Sequence, residues 1–130
     1  MNVQALLSEE TKPVETAEQL SSIAFSFMAS KALFAGLHIE LFSVLADGPK
    51  TIEQLSEATR VPINRVGMLT TALVSIGLLS YADDKRLQNS PAAESFLSRQ
   101  SKYDFGDYLR YQIDQQMYPC LLYTSDAADD

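Results

Sequence analysis

Hydrophobic residues recur at helical spacing in two segments near the middle of the chain. Thr51 stands three residues before Gln54, the spacing of a capping box, and predicts the start of a short helix. Pro62 suits the first position of a second helix, whose apolar residues continue to Ile76 at steps of three and four. Gly77 is expected to end it, because glycine readily adopts the left-handed conformation that closes a helix. The pattern predicts two helices joined by a tight turn.

Two short strand-like segments follow these helices. Residues 78–81 and 86–88 have the composition of strands, and Asp83-Asp84-Lys85 between them forms a polar turn. Ser90-Pro91 then begins another helix, with serine as the N-cap and proline at the first position. The order helix, turn, helix, two-strand wing, helix predicts a mainly α fold of the winged helix-turn-helix type.

An unusually apolar helix is predicted before this unit, from about Val14 to Ala35, with Gly36 ending it and a further helix over residues 37–46. A helix that is apolar on more than one side must be buried on more than one side, and 130 residues offer little to cover both. The pattern therefore favours a homodimer, with a core helix of a monomer as the alternative. The residues expected in the dimer interface are Leu20, Ile23, Phe27 and Phe34.

The charge of the chain weakens the DNA-binding interpretation that a winged helix suggests. Net charge is −7, and the predicted recognition helix carries Asn64 and Arg65 but no further basic residue up to Ile76. Neutralisation of phosphates supplies most non-specific affinity for DNA, so this surface disfavours a transcriptional regulator and nucleic-acid binding. Lys85 and Arg86 on the wing could still contact phosphates, so the regulator stays open as an alternative.

Composition also bears on location. The single cysteine, Cys120, excludes a disulfide within the chain and fits a reducing cytoplasm. Residues 1–12 lack the apolar core of a secretion signal, and polar residues interrupt the apolar stretch from 23 to 46. These features predict a cytoplasmic protein that does not bind a membrane.

Five segments carry a family resemblance: residues 32–42 (ALFAGLHIELF), 45–51 (LADGPKT), 72–79 (ALVSIGLL), 89–93 (NSPAA) and 107–111 (DYLRY). Together they resemble the N-terminal region of S-adenosylmethionine-dependent small-molecule O-methyltransferases, of the acetylserotonin, plant phenolic and bacterial polyketide type. The resemblance implies that residues 14–102 are a dimerisation domain. It also implies a full-length parent that transfers a methyl group from S-adenosylmethionine to a hydroxylated, aromatic small molecule in a Rossmann-like catalytic domain.

The resemblance further implies a role for residues 103–119, expected to form a helix leading toward the catalytic domain. In the family this helix and the leading helix of the partner subunit border the acceptor pocket. Tyrosine, methionine and glutamine suit a planar acceptor through stacking and a few polar contacts, whereas the alternative for each is an ordinary core or solvated position. The residues expected to line the pocket are Phe27, Met28, Tyr108, Tyr111, Gln112 and Gln116.

No catalytic, cofactor-binding or metal-binding residue is predicted in this chain. Its glycines are too widely spaced for a nucleotide-binding loop. His38 has no neighbouring cysteine or acidic cluster, so a packed or capping role is expected at the start of an apolar helix. The chain alone is therefore predicted to be inactive and to bind no cofactor.

The two ends are predicted to lie outside the folded unit. Residues 1–13 are expected to be a flexible lead-in, and residues 120–130 depart from the family pattern and resemble a translated sequencing adapter. This predicts a natural protein that continues past Pro119, with a native acidic tail as the alternative. If the tail is native, a stand-alone dimerisation module without a catalytic partner becomes a third interpretation.

Overall fold

The computed structural model describes residues 12–117 and residue 119. Its helices are α1 (Ala17–His38), α2 (Leu41–Leu45), α3 (Ile52–Thr59), α4 (Ile63–Ser75), α5 (Pro91–Phe96), α6 (Gly106–Tyr108) and a π-helix (Leu109–Met117). Strands β1 (Leu79–Tyr81) and β2 (Leu87–Asn89) pair antiparallel, with Leu79 opposite Asn89. The prediction of a mainly α fold with one short two-stranded sheet is confirmed. The predicted tail, residues 120–130, and nearly all of the predicted lead-in lie outside the described residues.

Helix α1 begins at a capping box and is followed by a left-handed residue. The hydroxyl of Thr16 accepts the Gln19 N–H at 3.1 Å, and the Gln19 side chain accepts the Thr16 N–H at 3.1 Å. Sequence reasoning missed this box, although its spacing equals the one recognised at Thr51. At the other end the helix continues to His38, and Glu40 then turns the chain with φ 62°. His38 therefore ends a helix, where the sequence had suggested that it begins one.

Gly36 does not end α1, so that prediction is wrong. The residue is buried within the helix, and a Cβ atom built on it would lie 2.9 Å from the ring of Phe42. The missing side chain lets α2 pack closely against α1, which is a packing role and not a terminating one. The predicted helix over residues 37–46 is accordingly shorter, since Leu37 belongs to α1 and only Leu41–Leu45 is helical.

One apolar core connects the end of α1 with α2–α5 and the hairpin. Among the described residues, the completely buried aliphatic ones are Leu37, Leu41, Leu55, Val66, Leu73, Leu87 and Ala93. The apolar residues predicted along α4 are buried in the middle of the series, at Val66 and Leu73. Ile63 and Ile76, at the two ends of the series, are exposed. The terminal turns of α4 extend past the elements that cover its centre, so helical spacing alone overstates the buried face.

The predicted helix boundaries at Thr51, Gly77 and Ser90 are confirmed. Pro62, predicted as the first helical residue of α4, is instead its N-cap. Thr51 and Gln54 form a reciprocal capping box at the start of α3, and the hydroxyl of Ser90 accepts the Ala93 N–H at the start of α5. Gly77 has φ 84°, a backbone conformation that glycine adopts without strain, directly after α4. These local signals position the hairpin against the helices.

Candidate dimerisation surface

The first part of α1 is exposed on every side. All side chains from Ala17 to Met28 are exposed, including large apolar ones. We call residues 17–28 the distal half of α1; its large exposed apolar residues are Leu20, Ile23, Phe25, Phe27 and Met28, each 55–64% exposed. Phe25 was not among the residues predicted for the dimer interface. Apolar exposure of this extent typically marks an interaction surface.

Phe34 differs from the other residues predicted to lie in the interface. It is 5% exposed and belongs to the chain's own core. Phe27 and Phe34 stand seven residues apart, so helical spacing puts them on one side of α1 and cannot distinguish them. Only the elements packed around the end of α1 separate the buried residue from the exposed one.

Helix α1 is also long and apolar enough to cross a membrane, by length and composition alone. Its mean hydropathy is 1.4, and only 22% of the apolar window is buried. Core helices of soluble proteins and signal sequences have the same properties, so these values do not assign the helix to a bilayer. They do establish that the apolar surface lacks a cover within the described residues.

A second apolar feature is an open groove beside the end of α1, which the sequence analysis did not anticipate. Its volume is about 310 Å³, and its lining residues are Leu33, Leu78, Ala92, Phe96, Leu97, Phe105 and Leu109. The rings of Phe96 and Phe105 lie 5.6 Å apart in a tilted arrangement and are both partly exposed. Leu33, which lines the groove, lies on α1 five residues after the end of the distal half.

The segment predicted as a helix over residues 103–119 starts later and changes type. Turns occupy residues 101–103, α6 begins at Gly106, and the chain continues as a π-helix from Leu109. Leu109 and Ile113 pack against the core, so the opposite side faces outward. No glycine or proline within the π-helix announces this change of helix type.

All six residues predicted to line a pocket are exposed. Tyr108, Tyr111, Gln112 and Gln116 share the outward side of α6 and the π-helix. Phe27 and Met28 lie on a separate element, the distal half of α1. The arrangement thus gives one aromatic and amide-bearing face and one apolar helical face, each open to a binding partner.

Ion pairs connect the π-helix to the end of α1. The guanidinium of Arg110, whose side chain is 8% exposed, donates to the Asp107 carboxylate at 2.7 Å and to the Glu40 carboxylate at 3.3 Å. It also donates to the main-chain oxygen of Leu37 at 3.2 and 3.1 Å. Arg99 Nε donates to both oxygens of Glu40 at 2.9 Å. The hydrogen bond from Arg110, followed by the charge of Arg99, lowers the pKa of Asp107.

The tip of the β1–β2 hairpin is organised by Asp83. Its carboxylate accepts the N–H of Lys85 at 3.0 Å and of Arg86 at 2.8 Å, and pairs with Arg86 Nε at 2.6 Å. These hydrogen bonds lower the pKa of Asp83 to about 2. Arg86, one of the two cations considered for phosphate binding, is therefore already paired within the hairpin.

Metal binding was not predicted, and the described part of the chain contains no cluster of three or more His, Cys, Asp and Glu side chains suited to an ion. Apolar side chains, amides and phenols are exposed on the described surface.

Comparison with known proteins places the chain in a family. Residues 21–99 match the O-methyltransferase dimerisation domain. The chain is 37% identical over 100 residues to the N,N-dimethyltransferase OxyT of Streptomyces rimosus, covering 76% of this chain and 29% of that protein. It is 30% identical over 97 residues to the tetracenomycin polyketide synthesis 8-O-methyl transferase TcmO of Streptomyces glaucescens, covering 75% and 28%.

The fold is also similar to that of a solved structure. Human N-acetylserotonin methyltransferase in complex with SAM superposes with a TM-score of 0.77 at 24% identity, over 92% of this chain and 36% of that one. The chain thus spans under a third of the length of the curated relatives it matches.

Proposed function

Since this chain belongs to the O-methyltransferase dimerisation-domain family, we propose that it forms a homodimer through the distal half of α1 and the apolar groove. The observation that carries this proposal is the exposure of five large apolar side chains on residues 17–28. A monomer would leave them in water, at a cost of roughly 25 cal/mol per Å² of apolar surface. A second copy can remove both this surface and the groove from water.

Helix α1 carries the distal half and also supplies Leu33 to the groove, which supports a particular arrangement. A twofold dimer uses the same surface patch on both copies. The distal half of α1 on one copy must therefore pack against a receiving surface that belongs to the same patch on the other copy. Two α1 helices that cross antiparallel near Met28 would bring Ile23 of each copy toward Leu33 of the other, since each residue lies five positions from Met28. The distal half of each helix would then cover the groove of the second copy.

The larger fold favours the same interpretation. A helix-turn-helix of α3 and α4 followed by the β1–β2 hairpin is the order of elements in a winged helix, and we assign the domain to residues 14–102 on that basis. In a DNA-binding winged helix, α4 would carry phosphate-binding cations. Helix α4 carries a single cation, Arg65, and Met68 on the same helix is 74% exposed. Arg86 of the hairpin is paired with Asp83. We therefore favour a protein dimer over nucleic-acid binding. We also propose a cytoplasmic protein without membrane binding, because the chain has a single cysteine and polar residues interrupt the apolar stretch from 23 to 46.

We further propose that the domain serves a larger S-adenosylmethionine-dependent methyltransferase. Residues 103–119 would lead toward the catalytic domain, which would bind the cofactor and supply the reacting groups, so the chain alone would be inactive. Tyr108, Tyr111, Gln112 and Gln116 would face the acceptor, together with Phe27 and Met28 of the second copy. Exposed phenol rings and amides suit a hydroxylated aromatic acceptor through stacking and hydrogen bonds. OxyT is named for N-methylation and TcmO for O-methylation.

Light scattering and cysteine pairing test the dimer. In a Cys120→Ser background, a chain with Ile23→Cys is mixed with one carrying Leu33→Cys and oxidised gently. We expect the dimer mass before oxidation, and a mixed disulfide between the two chains after it. Thr71→Cys, exposed on α4, replaces Ile23→Cys as the matched control and should give little cross-linking.

Two results separate the parts of this proposal. A monomer mass at high protein concentration would contradict the homodimer itself. A dimer mass without the mixed disulfide, or with as much of it in the Thr71→Cys control, would contradict the antiparallel arrangement alone.

A further inference from the structure

We propose that Arg110 is a positioning residue that fixes the rotation of the π-helix on the end of α1, and with it the direction of the Tyr108 and Tyr111 side chains. The assignment of these tyrosines to an acceptor surface rests on the function proposed above. The positioning itself concerns only contacts within this chain and can be measured without a ligand.

The guanidinium of Arg110 contacts three groups that lie at one place. It donates twice to the Leu37 carbonyl, once to Asp107 and once to Glu40, over distances of 2.7–3.3 Å. Leu37 belongs to the last turn of α1, where carbonyl oxygens lack the usual partner four residues on and the helix dipole favours a positive charge. Its carbonyl oxygen accepts the Glu40 N–H at 3.2 Å in addition to the guanidinium of Arg110. Arg110 therefore stabilises the end of α1 and holds the start of the π-helix against it.

The surrounding charges keep this arginine in place. Glu40 also binds Arg99, and Arg99 Nη2 lies 3.3 Å from Asp107, so two cations alternate with two carboxylates. A buried guanidinium is tolerated when its donors are satisfied in this way. Gly106 leaves room for the guanidinium of Arg110. A Cβ atom at this position would lie 3.1 Å from Arg110 Nη1 and 3.3 Å from the side chain of Leu37.

The remaining contacts of the π-helix do not set its rotation as strictly. Leu109 and Ile113 are only partly buried, and apolar contact is non-directional. A guanidinium is a planar fork that accepts partners only in fixed directions, whereas a lysine ammonium is a point charge. Tyr108 and Tyr111 lie two positions before and one after Arg110, so a rotation of the segment about its axis would redirect both rings.

Amide hydrogen exchange on the full chain tests this role. Arg110→Met removes the fork but keeps an unbranched apolar stem, and Arg110→Lys keeps the charge without the fork. Arg65→Met is the matched control, since Arg65 is exposed on α4. We expect exchange in residues 109–117 to accelerate at least about tenfold in Arg110→Met, as loss of hydrogen bonds from a charged group would produce. Exchange in α4 should stay unchanged, and Arg110→Lys should restore only part of the protection.

Asp107→Asn provides a milder variant if Arg110→Met fails to fold. It leaves the Leu37 and Glu40 contacts intact, so a smaller acceleration confined to residues 109–117 is expected. Full protection in Arg110→Lys would contradict the need for the fork, and equal acceleration throughout the chain would contradict a local positioning role. Light scattering of the same samples reports the dimer separately, so a monomeric but locally protected protein would overturn the proposed function and leave this inference standing.

Discussion

The two halves of α1 have a similar apolar character but opposite environments. Residues 17–28 are exposed throughout, whereas the following ten residues contribute Ala32, Phe34 and Leu37 to the core. The second half is covered by α2, α4 and the π-helix, and the first half extends beyond them. Apolar composition thus predicts that a surface needs a cover, and the neighbouring elements decide whether the same chain supplies it.

Substitution of Phe34 and of Phe27, one in each half of α1, should show the largest difference between the two halves. Phe34→Asp would bury an unpaired charge in the core, so we expect loss of the folded state. Phe27→Asp would place a charge on the exposed half, so the chain should stay folded by circular dichroism while the dimer mass disappears in light scattering. A folded dimer with Phe27→Asp would exclude the distal half from the interface. A stable fold with Phe34→Asp would show that the second half is not the core of the monomer.

Substitution of two helical glycines tests how closely the second half of α1 is packed. Gly36→Ala would place a Cβ atom 2.9 Å from the ring of Phe42, and we expect the free energy of unfolding to fall by about 1–3 kcal/mol. Gly67→Ala in α4 is the control, because its Cβ would meet no atom within 4 Å. Better helix propensity should there raise the free energy of unfolding by roughly 0.5–1 kcal/mol. Urea denaturation compares the two, and equal effects would exclude close α1–α2 packing as the cause.

Removal of the two capping boxes should give the smallest difference in the free energy of unfolding. Thr51→Ala removes the N-cap of α3, which packs on the core, and should lower the free energy of unfolding by about 1 kcal/mol. Thr16→Ala removes the same type of cap from the exposed half of α1. In a monomeric Phe27→Asp background we expect Thr16→Ala to fray the helix locally with almost no change in global unfolding. A loss as large as that of Thr51→Ala would mean that the distal half contributes to the core.

Sequence reasoning succeeded mostly where the signal lies within a few residues, although it missed the equally local capping box at Thr16. The Thr51 box, the left-handed Gly77 and the cap at Ser90 each depend on neighbouring backbone groups, so their positions were predicted correctly. It failed where the deciding contact comes from distant parts of the chain. Gly36 was predicted to end a helix, and only its contact with Phe42 shows a packing role. Arg110 was given no role from the sequence, and only its contacts with Glu40 and Leu37 identify one.

The sequence by itself determined the order of helices and strands, the mainly helical class and the family to which the chain is similar. Periodicity and capping are local properties, and they survive without knowledge of the packing. The tertiary structure decided which half of α1 is buried, where the apolar groove forms and how Arg110 joins the π-helix to α1. Each of these depends on contacts between residues far apart in the chain, and the free energy of such contacts depends on which surfaces meet.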